Sequence, residues 1–111
     1  MNVSFEGIGH LIATFAAENG QEGQVCKLSD NGTVAACQAE EVFCGVMQSI
    51  RGDYAGVQLH GFAKVSYSGS APAVGYNKLV ADGNGGVKTG NGKEYLVVSV
   101  DTEAMYAMIE L

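Results

Sequence analysis

The side chains in this chain that could do chemistry are few: Cys26, Cys37 and Cys44, His10 and His60, and carboxylates scattered through polar stretches. Three thiols with a histidine would make a four-ligand zinc set, but zinc ligands usually come in pairs two to four residues apart, so that one tight turn presents both. Here the nearest pair is Cys37 and Cys44, on either side of a polar loop. Strand parity sets Cys26 with Leu28 and Cys44 with Val46, so these two read as small core hydrophobes. A cysteine nucleophile needs a base that keeps it as thiolate, and no spacing places His10 or His60 beside a thiol. Glu40 and Glu41, like Glu18 and Glu22, read as solvated loop acids, and a chain without tryptophan has little from which to build a sugar cleft. Asp82-Gly83-Asn84-Gly85-Gly86 lacks the alternating acids and downstream Glu of a calcium loop. The same glycines lack the following helix that a dinucleotide fingerprint requires. Arg51-Gly52-Asp53 matches an adhesion tripeptide and is also ordinary turn chemistry. No catalytic, cofactor-binding or metal residue is assigned, and the chain reads as a non-enzyme without a cofactor.

The elements that would hold these residues are strands. The stretch from Val57 to Tyr67 alternates, with Val57, Leu59, Ala63, Val65 and Tyr67 on one face and Gln58, His60, Phe62, Lys64 and Ser66 on the other. A period of two predicts one long strand with a dry face and a wet face. Leu11–Phe15 reads as a first strand. Val25–Leu28 and Thr33–Cys37 flank Ser29-Asp30-Asn31-Gly32, whose Asn-Gly supplies the positive φ angles of a tight hairpin. Val42–Ile50 is a strand with a possible bulge at Gly45, and Arg51-Gly52-Asp53 turns into the long strand. Short strands follow at Lys78–Ala81, Val87–Thr89 and Tyr95–Val100, separated by glycine turns. The tail from Thr102 to Leu111 could open a helix, but the alternation of Ala107, Ile109 and Leu111 favours a closing strand. The fold class is therefore all-β: a small β-barrel or sandwich of short antiparallel strands with glycine-rich turns and an N-terminal arm. Residues 1–10 form the arm or an edge segment, and residues 11–111 a single β-barrel domain.

Sixteen glycines and one proline in 111 residues fit a turn-rich chain. The net charge of −6, with only six Lys and Arg, leaves little to neutralise phosphates, so nucleic acid and anionic membranes are poor partners. No run is long enough to span a bilayer as a helix. Met1 to Gly9 carries no basic residue, unlike a secretion signal, and the odd cysteine count agrees with folding in reducing cytosol. With charged residues at 16%, strand edges have few gatekeepers, which favours burying them in an assembly.

The order of several segments resembles a phage capsid decoration (cement) protein of the small β-barrel prophage type. The segments are Gly23-Gln24-Val25-x-x-Leu28, Thr33-Val34-Ala35, Glu41-x-Phe43-x-Gly45-Val46, Val57-x-x-x-Gly61-x-x-x-Val65, Gly75-x-Asn77-x-Leu79-Val80-Ala81-Asp82-Gly83 and the tail Met108-Ile109-Glu110-Leu111. The resemblance runs from about Leu11 to the end. It implies a structural protein that binds and stabilises a capsid shell through protein–protein contacts, as a homo-oligomer with a trimer favoured. Its place would be the virion capsid surface, or the bacterial cytoplasm when prophage-encoded. His60, Phe62 and Lys64, on the wet face, are then the candidate contact surface. The competing reading is a non-catalytic binding module, carbohydrate-binding or tail-associated and adhesive, which calls for a planar row of exposed aromatics from among Tyr54, Phe62, Tyr67 and Tyr76. A small enzyme would instead need a pocket in which His60 or His10 meets a cysteine or carboxylate.

Overall fold

The computed structural model describes residues 10–111. The arm expected over residues 1–10 therefore lies, His10 apart, outside the described residues. The chain forms ten strands: β1 (Leu11–Ala17), β2 (Val25–Asp30), β3 (Thr33–Ala36), β4 (Gly45–Arg51), β5 (Tyr54–His60), β6 (Phe62–Ser66), β7 (Gly75–Ala81), β8 (Val87–Thr89), β9 (Lys93–Asp101) and β10 (Tyr106–Glu110). The first five close into a barrel in the order β1-β3-β2-β4-β5, and the other five form a sheet in the order β6-β10-β9-β7-β8. Pairing between strands is antiparallel, except for a short parallel contact of β1 with β3 at Ala16↔Thr33 and Ala17↔Val34. The all-β class holds, and the tail is a strand, entered through a turn in which Asp101 accepts from the amides of Glu103 and Ala104.

The single strand expected from Val57 to Tyr67 is two strands in two different sheets. The chain turns at Gly61, whose φ of 96° is open to glycine at little steric cost. Parity survives the turn, so Val57, Ala63, Val65 and Tyr67 are all buried. Gln58 departs from the expected pattern, being only 2% exposed although it falls at a wet-face position. Its Nε2 donates to the carbonyls of His60 at 3.1 Å and Phe62 at 2.8 Å, and its Oε1 accepts from Gln48 Nε2 at 2.7 Å. One amide thus clamps both sides of the corner, and these bonds compensate its own desolvation.

The two sheets share a core. Val25, Phe43 and Val46 from the barrel half pack with Val65, Leu79, Val97 and Ile109 of the second sheet, while Cys26, Val34, Met47, Ala55 and Val57 fill a smaller cluster inside the barrel. The segment between β3 and β4 clasps the halves together. The Phe43 ring stacks on Tyr95 at 4.8 Å between centroids, and the Tyr95 hydroxyl donates to the Phe43 carbonyl at 3.1 Å. Burial pushes that phenol up to about 12. Alongside, the Glu40 amide donates to the Ala81 carbonyl at 3.0 Å and the Ala81 amide to Glu41 at 2.9 Å. Lys88 pairs with Glu40 and Lys27 with Glu41. The second sheet comes close to closing as well: Tyr67, just past β6, bridges Val87 of β8, and the Ser68 amide donates to the Val87 carbonyl at 2.9 Å. Edges that would template aggregation are thereby shortened.

Candidate contact surface

Of the residues with chemical potential, Cys26 and Cys44 come together in the barrel cluster, while Cys37 lies in the shared core. Among the described residues no group of three or more His, Cys, Asp or Glu is placed to hold a metal ion. Cys26 is fully buried in the barrel cluster, Cys37 sits in the shared core, and Cys44 is half-buried. His60 is exposed at the end of β5 opposite Leu11, and His10 precedes β1. In the Asp82 loop, Oδ1 accepts from the amides of Asn84 at 2.7 Å and Gly86 at 3.0 Å, and Oδ2 accepts from Ser68 Oγ at 2.6 Å. That carboxylate is occupied in shaping its own turn. Arg51-Gly52-Asp53 lies at the exposed β4–β5 hairpin turn, with Gly52 at a φ of 58°.

The three residues expected to form one contact face are divided by the Gly61 corner. His60 belongs to the barrel, and Phe62 and Lys64 to β6 of the second sheet, where they pair with Glu110 and Met108. Phe62 is half-buried. Lys64 is exposed, with its ammonium 4.2 Å from the centre of the Tyr106 ring, a cation–π contact. The pair borders an open depression of about 340 Å³ that also takes in Glu22, Gln24 and Ser66. The aromatics considered for a sugar-binding row are likewise separated. Tyr67 is core, Phe62 half-buried, and Tyr54 and Tyr76, though exposed, stand on strands of different sheets.

A different surface comes together on the outside of the barrel. Pairing aligns Thr14, Gly56 and Ser49 in one row across β1, β5 and β4, and Ala16, Tyr54 and Arg51 in the next. Ile12 flanks the first row. A Cβ at Gly56 would lie 3.6 Å from Ile12 Cγ2 and 2.7 Å from Ser49 Oγ, so glycine leaves a dip whose rim is Ile12, Thr14, Ser49, Tyr54 and Arg51. The dip encloses about 230 Å³. Ile12 is 53% exposed and Tyr54 59%, and Leu11 and His60 extend the surface beyond them. An isolated exposed apolar residue is ordinary; several on one strand face, with Tyr and Arg at the rim, have the composition of a protein-contact site. The alternation of Leu11-Ile12-Ala13-Thr14-Phe15 carried part of this signal. The proximity of Tyr54 and Gly56 to it depends on pairings made far along the chain, Ala16↔Tyr54 and Thr14↔Gly56.

No family model matches the chain, and no curated protein matches it significantly.

Proposed function

We propose that this protein is a non-enzymatic structural module, a phage or prophage head decoration protein that binds and stabilises a capsid shell as a homo-oligomer, with a trimer favoured. The observation that carries the reading is the exposed outer barrel face of Leu11, Ile12, Tyr54, Arg51 and His60 around the Gly56 dip. Such a face gains free energy when covered by a flat partner, because its apolar area leaves water while the backbone beneath is already hydrogen-bonded and rigid. Repetition on a lattice multiplies the effect, since linked copies bind with avidity that no single contact supplies. The segment order described above gives the partner its class, and the acidic, charge-poor composition argues against nucleic acid.

Pelleting with expanded, undecorated phage heads tests the reading. The wild-type protein is expected to co-sediment with the shells. The double variant Ile12→Asp/Tyr54→Ser should bind at least about tenfold more weakly, as loss of a central apolar pair does at other interfaces, with its thermal melt close to wild type. A protein that stays monomeric at every concentration and never pellets with shells would overturn the proposal.

A further inference from the structure

The seam between β2 and β4 is only two residue pairs long, Val25↔Val46 and Cys26↔Gly45. Cys44 immediately precedes it, and its amide donates to the Cys26 carbonyl at 2.8 Å. Two residues of one chain segment, Cys44 and Gly45, therefore face the single residue Cys26, which is the arrangement of a β-bulge. Gly45 is required there, since a Cβ would come within 2.4 Å of the Gln58 carbonyl oxygen. Both cysteines pack into the same barrel cluster, whereas Cys37 belongs to the other one. The Cys26 thiol donates to the Gly45 carbonyl at 3.7 Å, and the amide-to-carbonyl bond from Cys44 to Cys26 holds the two cysteines side by side across the seam. Cys44 is half-buried and open to small solutes, while Cys26 is fully enclosed.

We infer that Cys26 and Cys44 form a paired thiol site that hydrogen peroxide converts to an intramolecular disulfide across the β2–β4 seam. Cys44 is the attacking sulfur. The neighbouring Cys26 thiol and the surrounding backbone lower its pKa against the opposing effect of burial, which favours the thiolate. Cys26 is pushed up by the neighbouring Cys44 sulfur and by burial, and keeps its proton. The Cys44 thiolate attacks one peroxide oxygen, the O–O bond breaks, and the departing hydroxide takes a proton to become water, leaving a sulfenic acid on Cys44. The Cys26 sulfur then attacks the Cys44 sulfur, the S–O bond breaks, and the leaving hydroxide takes the Cys26 proton as a second water. In sum, two thiols and one hydrogen peroxide give one disulfide and two waters, with two electrons passing from sulfur to oxygen. The product staples one of the two shortest seams of the barrel, so oxidation stiffens the wall that carries the contact face.

Peptide mapping of the folded wild-type protein tests this directly. After treatment with hydrogen peroxide, remaining thiols are alkylated during denaturation and the chain is digested with trypsin and a glutamate-specific protease. Cleavage after Lys27 and Glu41 separates all three cysteines. The expected product is about 2 Da lighter before alkylation, with Cys26 linked to Cys44 and Cys37 alkylated. The disulfide form should melt at higher temperature than the reduced form. Cys37→Ala should still form the link and Cys44→Ser should not, each checked by thermal melt before oxidation. A link to Cys37, a link between two chains, or oxidation of Cys44 to sulfinic acid with Cys26 still free would each overturn the inference.

Discussion

Replacing Gln58 with leucine probes the corner that sends the chain from the barrel into the second sheet. The two side chains are close in volume, so the change acts through hydrogen bonding more than packing. It removes donors to the His60 and Phe62 carbonyls and the acceptor used by Gln48. A net hydrogen bond is worth about 1 kcal/mol, and a buried group stranded without a partner costs 1–3 kcal/mol. His60 is exposed and Phe62 half-buried, so water relieves part of the cost at their carbonyls. A loss of about 2–3 kcal/mol follows, which for a domain of this size lowers Tm by roughly 10 °C. Urea titration should show a lower midpoint with an unchanged slope. Gln58→Glu adds a pH signature. At a site 2% exposed, desolvation raises the folded-state pKa of the new carboxyl above its unfolded value. The variant should therefore be most stable below about pH 4, and lose stability as pH rises through the folded pKa. If Gln58→Leu melts at or above the wild-type temperature, the amide does not hold the corner and the reasoning fails.

Other perturbations separate the parts of the fold. Gly45→Ala should destabilise by about 2–3 kcal/mol, because the new methyl meets the Gln58 backbone and only strand separation relieves it, whereas Gly56→Ala meets a rotatable Ser49 hydroxyl and should cost under about 1 kcal/mol by denaturant titration. Tyr95→Phe keeps the ring stack on Phe43 but strands its carbonyl, and chemical denaturation should read a loss of about 1–2 kcal/mol. Met105, at a φ of 59°, occupies the left-handed region against its preference; Met105→Gly should raise stability by roughly 1 kcal/mol, and a decrease would show that its side-chain packing outweighs backbone strain.

Much of the β architecture was legible because its signals are local. Asn31-Gly32 marks the first hairpin, although of the two only Gly32 takes a positive φ, of 59°, and the alternation of Ala107 and Ile109 marks the final strand whatever its neighbours. Features that depend on distant pairing were not legible. A glycine inside an alternating run preserves parity, so Gly61 hides a change of sheet that only the clamp by Gln58 reveals. Leu28, paired by parity with Cys26, is 58% exposed: β4 accompanies β2 only over Val25 and Cys26, and Leu28 lies past that seam. The outer barrel face was missed for the same reason. Ile12 and Tyr54 are separated by most of the barrel in sequence, and β1 must lie against β5 before they share a surface.

The central claim, that this β module works by docking its outer barrel face, is tested most directly by cryo-electron microscopy of expanded phage heads incubated with the protein. The account predicts added density at local symmetry axes, with Ile12, Tyr54 and Arg51 covered by the shell or by a neighbouring copy. Heads without added density, or bound copies with that face open to solvent, would contradict it.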